Sequence, residues 1–218
     1  IFVLTADITV PQFGLSDEEY SKLGNTIDMV IHSAAYVSHY GDEHLFELIN
    51  VTGTNNIIDF CSNFSIYLNH ISTTSVSASI PDSEKPVVFD EHCLYVGQNY
   101  SDNIYIKTKF EAEYNIWEAL QNSNLKASVY RLGNISARYS DGKFQENDDK
   151  NAFLNRVLTV AKLDKIAKSF SNLKIDLSPV DYCAKIIVRL CVLSSSYSKV
   201  FHIYHNKSLK FIDLINGV

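Results

Sequence analysis

Two side chains able to move a proton stand four apart in the run Asn103-Ile104-Tyr105-Ile106-Lys107-Thr108-Lys109. Four residues are about one turn of α-helix, so Tyr105 and Lys109 share a face. A phenol with a pKa of about 10 exchanges protons poorly at neutral pH. An ammonium beside it stabilises the phenolate and lowers that value. The pair then predicts a proton donor for a carbonyl under reduction. The same spacing occurs on any amphipathic helix with one aromatic and one lysine stem laid over apolar surface. Its meaning therefore depends on what precedes it. Ser65 to Ile71 reads as an apolar-rich strand running into the hydroxyl cluster Ser72-Thr73-Thr74-Ser75. Of these, Thr74 and Ser75 are explained equally well by hydrogen bonds within a turn.

The elements that must position these groups follow in order. Ile1 to Ala6 reads as a buried strand ending at Asp7. Ser16 and Glu19 have the spacing of a capping box for a short helix. Asp28 to Ala35 is a second strand ending in the small residues Ser33, Ala34 and Ala35. Small side chains admit a flat ligand at the carboxyl end of a strand, where open α/β sheets bind ligands. His32 in this strand reads as a core histidine. Leu45 to Phe64 is a long helix whose Asn50 and Gly53 cost helix propensity. The segment from Ser77 to Asn103 is long for a compact domain, which points to a functional loop over the site. Lys126 to Arg131 is a strand, followed by Leu132-Gly133-Asn134. Asn151 to Lys168 is helical and carries Arg156, Lys162, Lys165 and Lys168. Ser178 then reads as an N-cap, with Pro179 at the first helical position. Lys199 to His205 is a last strand.

Alternating strands and helices predict an α/β fold, a doubly wound parallel sheet. The 218 residues, 46% hydrophobic, suffice for a good core. The formal charge of −6 disfavours nucleic acid as a partner. No apolar run has the length of about 18 residues that a membrane span needs. The four cysteines lack metal-type spacing, which predicts reduced thiols, no metal and a cytoplasmic protein.

The strand into Ser72-Thr73, the long loop and the Tyr105/Lys109 helix resemble the short-chain dehydrogenase/reductases, extended branch. Phe89-Asp90-Glu91, Tyr95-Val96-Gly97-Gln98-Asn99-Tyr100 and Lys109-Phe110-Glu111-Ala112-Glu113 resemble the thioester reductase domains of nonribosomal peptide synthetases, with relatives in carboxylic acid reductases and aminoadipate reductases. The resemblance implies a Rossmann-like sheet with a small C-terminal substrate domain, divided as 1–135 and 136–218, with segments around 175–205 returning to the sheet. It implies Thr73, Tyr105 and Lys109 as the catalytic residues. It implies NADPH as cofactor, NADH not excluded. Asp7 and Ile8 would approach the cofactor through Ala6-Asp7-Ile8, and Ser33, Ala34 and Ala35 through the family's His-x-Ala-Ala. Asn50 would lie nearby, and Leu132, Gly133 and Asn134 would meet the nicotinamide, with Leu132 where the family has proline. The substrate implied is an acyl or peptidyl thioester on the phosphopantetheine arm of a carrier protein, reduced to an aldehyde or alcohol. The basic residues of 156–168 would face that carrier.

The eight glycines form no glycine-rich phosphate loop. The resemblance places that loop, and the strand selecting NADH or NADPH, before Ile1, which predicts that the fragment alone is inactive. Two other readings stand beside the thioester one: a nucleotide-sugar epimerase or dehydratase with the same triad, and a cofactor-binding module without turnover.

Overall fold

Ser16 and Glu19 close their capping box. Glu19 N donates to Ser16 Oγ at 3.3 Å, and Ser16 N donates to the Glu19 carboxylate at 3.1 Å. The box starts α1 (Asp17–Gly24). In this computed structural model, residues 1–38, 41–79, 87–146, 151–163 and 173–216 are described. They divide into two units, Ile1–Arg131 with Leu193–His202, and Leu132–Val192 with Ile203–Val218.

The first unit is Rossmann-like. Its sheet contains β1 (Met29–His32), β2 (Tyr67–Thr73), β3 (Lys126–Leu132) and β7 (Val200–Ile203), in the order β1-β2-β3-β7. β1 and β2 run parallel, with Met29 opposite Tyr67 and His32 opposite His70. The predicted long helix forms as three joined pieces. These are α2 (Glu43–Phe46), a π-helical turn (Glu47–Thr52) and α3 (Gly53–Phe64). Ser65 ends α3 in the left-handed conformation at φ 59°. α4 (Ile104–Asn122) joins β2 to β3, and Asn103 Oδ1 caps it by accepting from Ile106 N at 3.1 Å.

α3 buries Ile57, Ile58, Phe60 and Cys61, a helical repeat facing Leu68, Ile116 and Val129. Phe13 and Tyr20 lie with ring centroids 5.2 and 5.0 Å from Phe60. Each large apolar side chain buried in this way contributes about 1.5–3 kcal/mol. A helix of α3's length is marginal alone, so this packing holds it.

Two expectations are corrected here. Ile1 to Ala6 is not a buried strand: the segment is exposed, and β1 is the edge of the sheet. A strand exists only where a neighbour accepts its ladder of hydrogen bonds, and none of the four strands pairs with these residues. Ser178 is not an N-cap. Ser178–Pro179 form β6 and pair with β4 (Ile135–Ser136), while Ser178 Oγ accepts from His205 N at 2.8 Å. With its backbone in a ladder and its hydroxyl taken, the helix starts later, as α6 (Val180–Cys191).

The second unit also contains α5 (Ala152–Leu163), β5 (Lys174–Asp176), β8 (Ser208–Lys210) and α7 (Phe211–Asn216). β5 and β8 pair antiparallel, and Val157, Ile175 and Phe211 form a small core. α6 buries Cys183, Ile187 and Cys191 at four-residue spacing. No disulfide joins the cysteines, and no metal-type cluster occurs among the described residues. No helix of the described residues is long and apolar enough to cross a membrane. Arg156 and Lys162 are carried by α5, whereas Lys165 and Lys168 lie outside the described residues.

Candidate active site

Thr73 is the last residue of β2 and Tyr105 lies in the first turn of α4. Strand end and helix start bring the Thr73 hydroxyl close enough to the Tyr105 phenol to act on its proton. Thr73 Oγ1 also accepts from Ser75 N at 3.1 Å, which fixes the hydroxyl against the turn that follows the strand. Burial raises the pKa of the Tyr105 phenol, and the Thr73 hydroxyl opposes that only partly. The sequence reading expected the opposite sign, from an ammonium beside the phenol. The difference lies in where Lys109 points. Its Nζ donates to the Ile71 carbonyl at 2.8 Å and lies 3.4 Å from His70 Nε2. Both partners are on β2. Burial lowers the pKa of the Lys109 ammonium to about 8, with the charge of Glu113 raising it as the lesser effect.

A polar layer unusual for an interior surrounds this lysine. His32 and His70 are buried with ring centroids 5.2 Å apart. Burial, and then the Lys109 charge, hold His32 at about 4 and His70 well below the usual imidazole value. His32 Nε2 meets Thr54 Oγ1 at 3.0 Å, and Thr54 Oγ1 donates to the Asn50 carbonyl at 2.7 Å. Asn50 accepts from Tyr36 N at 2.7 Å and donates to Tyr36 O at 3.1 Å and to Thr108 Oγ1 at 3.0 Å. Asn50 thus pins the chain that leaves β1 through Ser33, Ala34 and Ala35 to α4. Those three residues follow β1 without regular structure; Ser33 and Ala34 are exposed and Ala35 half-buried. Gly53, whose cost the sequence left open, has its reason in packing: a Cβ there would lie 2.7 Å from Ile8 Cδ1. Asp7 is exposed, and its Oδ1 accepts from Thr9 N and Thr9 Oγ1 at 2.9 and 2.7 Å. These two bonds hold its carboxyl below the usual range.

Leu132, Gly133 and Asn134 belong to the second unit. Gly133 N donates to the Ile203 carbonyl at 3.1 Å. Asn134 donates to the Asp176 carboxylate from its backbone at 2.9 Å and from its side chain at 3.0 Å.

Three features escaped the sequence reading. The first is His70, which belongs to no motif of its own. Glu113 and Arg131 form a buried ion pair, with Nε to Oε1 at 2.8 Å, and Glu113 Oε2 accepts from Ser72 Oγ at 2.8 Å. Buried Gln98 stitches the long loop down, donating to Val76 O at 3.1 Å and Leu94 O at 2.7 Å. A signal existed for two of these. Alternate residues of a strand, His70 and Ser72, share one face, as do Lys109 and Glu113 four apart on a helix. Polar residues on both facing surfaces are a pairing pattern. The loop's described part also lines a cavity of about 700 Å³ with Phe110, Trp117 and Arg131; Thr73, Tyr105 and Lys109 do not line it.

Residues 1–187 match the profile of a family described as Male sterility protein. The chain is similar to a component of linear gramicidin synthase from Brevibacillus parabrevis, 23% identical over 100% of the chain. It is similar to L-2-aminoadipate reductase of Saccharomyces cerevisiae, 27% identical over 86% of the chain. It spans 4% and 14% of the lengths of those two proteins. Among solved structures it is similar to a thiolation-reductase di-domain from an archaeal non-ribosomal peptide synthetase, with TM-score 0.79 and 35% identity. That match covers 96% of this chain and 55% of the other. It shares the fold of the terminal R domain from the myxalamid PKS-NRPS pathway, with TM-score 0.80 at 24% identity, covering 95% of this chain and 51% of that one.

Proposed function

We propose, from the premise that this chain belongs to the Male sterility protein family, that it is part of a reductase releasing an acyl or peptidyl thioester from a carrier protein's phosphopantetheine arm. The product is an aldehyde and the free thiol, and a second round gives the alcohol. The observation that carries this reading is the Thr73 hydroxyl brought to the Tyr105 phenol where β2 ends and α4 begins. The thioester chemistry and the carrier partner are supported by the likeness to the synthetase and aminoadipate reductase proteins.

The donor set suits a nicotinamide dinucleotide. Small residues follow β1, hydroxyls end β2, and a lysine lies one turn along α4 from the phenol. Asp7, Ile8, Ser33, Ala34, Ala35, Asn50, Tyr105 and Lys109, all in the first unit, are the residues we assign to holding it, with NADPH as the preferred form. When bound, that group supplies the hydride. The remaining work falls to the chain. As the carbonyl carbon becomes tetrahedral, charge collects on its oxygen, where fixed donors contribute most. Thr73 and Tyr105 supply two hydroxyls there. Burial leaves the phenol protonated and a weak acid, so it gives up its proton only to the strongly basic oxygen of the tetrahedral intermediate. The hemithioacetal then expels the thiol as the carbonyl re-forms.

The test is Tyr105→Phe in the full-length reductase, assayed with a carrier-bound thioester. Turnover should fall by about 10²- to 10⁴-fold, the usual share of a general acid, while dinucleotide affinity stays near that of the parent. Near-parental turnover would remove the assignment.

A further inference from the structure

His70 has 1% of its surface exposed, and its Nδ1 has no hydrogen-bond partner among the described residues. Buried polar atoms are nearly always matched, so an unmatched one requires an explanation. The other ring nitrogen provides it. Nε2 lies 3.4 Å from Lys109 Nζ, and the same amine donates to the Ile71 carbonyl at 2.8 Å. The ring cannot turn to match Nδ1 without giving up the amine. An ammonium has three N–H donors; adjacent residues of one strand take two of them.

The neighbours fix the charge state. His32 faces His70 from β1, and its Nε2 is engaged by Thr54 of α3. Lys109 faces it from α4. Glu113, one turn further along α4, acts on Lys109 and is itself paired with Arg131. Burial and the Lys109 charge keep both imidazoles neutral. A neutral ring that accepts at Nε2 carries its proton on Nδ1.

We propose that His70 is a positioning residue for Lys109: its neutral imidazole and the Ile71 carbonyl fix two of the amine's three N–H bonds and leave the third for the bound ligand. That the ligand is a dinucleotide ribose rests on the reductase reading. The anchoring belongs to the chain itself and is measured without turnover.

The first measurement needs no variant. Long-range ¹H–¹⁵N spectra of imidazole-labelled protein at pH 7 should show His70 as the Nδ1–H tautomer; an Nε2–H tautomer overturns the proposal. The second follows the Lys109 titration through its ¹³Cε resonance, assigned by its loss in Lys109→Arg. The parent should titrate at about 8. His70→Gln keeps an acceptor and should titrate close to it. His70→Leu keeps bulk without an acceptor, so the ammonium loses a partner and the titration should fall by about one pH unit. The same titration in all three proteins, or His70→Gln behaving like His70→Leu, would overturn the proposal. In turnover, kcat/KM should drop in His70→Leu and recover in His70→Gln. Parental turnover by Tyr105→Phe would defeat the reductase reading while leaving the spectroscopic result in force.

Discussion

Glu113→Gln removes one charge from a buried pair and strands the other. Arg131 has 1% of its surface exposed and Glu113 has 3%. The guanidinium lies 4.5 Å from the Phe89 ring centroid and donates to Asp90 O at 3.0 Å and Cys93 O at 2.9 Å. None of these neutral partners balances its charge. Breaking such a pair costs about 3–5 kcal/mol. Glutamine keeps one acceptor oxygen, so the low end, about 3 kcal/mol, applies. With a urea slope of about 2 kcal/mol per molar, the unfolding midpoint should fall by about 1.5 M. Trp117, the protein's single tryptophan, stands four residues from Glu113 on α4, so its fluorescence reports on the unit concerned. Glu113→Leu combined with Arg131→Met should lose less than Glu113→Gln alone, because no charge is left behind. A Glu113→Gln midpoint within about 0.2 M of the parent would refute the reasoning; so would a double variant worse than the single.

The other outcomes concern a clash and a titration. Gly133→Ala would set a Cβ 2.1 Å from Asp176 Oδ2 and 2.7 Å from Tyr204 Cβ. Moving Asp176 would break both bonds to Asn134, so the second unit should lose about 1–3 kcal/mol, seen as faster limited proteolysis; unchanged proteolysis contradicts it. His32 is held at about 4 against an ordinary 6.5. Between those values the unfolded chain binds a proton that the folded chain does not, so stability is full above pH 6.5 and falls as the pH drops toward 4. The loss from His32 is about 3 kcal/mol. Urea midpoints measured across that window should slope less steeply in His32→Gln, and an identical slope would sink the assignment.

Local rules carried the sequence reading far. The capping box at Ser16, the helix beginning after Asn103 and the strand into Thr73 each depend on a few neighbouring residues, and the structure has all three. The failures share one cause: the deciding partner is remote in sequence. Ile1 to Ala6 has strand composition, but a strand is a pairing, and composition does not name the neighbour. Ser178 has the look of a cap, yet Ile135 and His205 claim it first. Lys109 lies one turn from Tyr105 along the helix, but spacing fixes only where a side chain starts. Four methylenes carry the amine to β2, where Ile71 and His70 hold it in place of the phenol. The Leu132–Asn134 segment is visible as a motif, while its hold on Asp176 requires the fold.

The π-helical turn at Glu47–Thr52 sets a rule for chain length. Each residue of an α-helix turns by about 100°, and a π turn takes up one extra residue before the ladder resumes. The two flanks of this helix are therefore out of phase by one residue's rotation. Asn50, inside the turn, reaches Tyr36 and Thr108, while Ile57 and Phe60 beyond it reach the core. Removing any single residue from 47–52 would let the hydrogen bonds relax into a regular helix. The flanks would keep their places, because the bulge is what takes up the extra residue, but the widened turn that carries Asn50 to Tyr36 and Thr108 would be lost. Asn50 apart, this stretch should accept substitutions of side chain more readily than a change in its count, and homologous chains can be compared for that signature: letters that vary around a fixed asparagine over a length that does not.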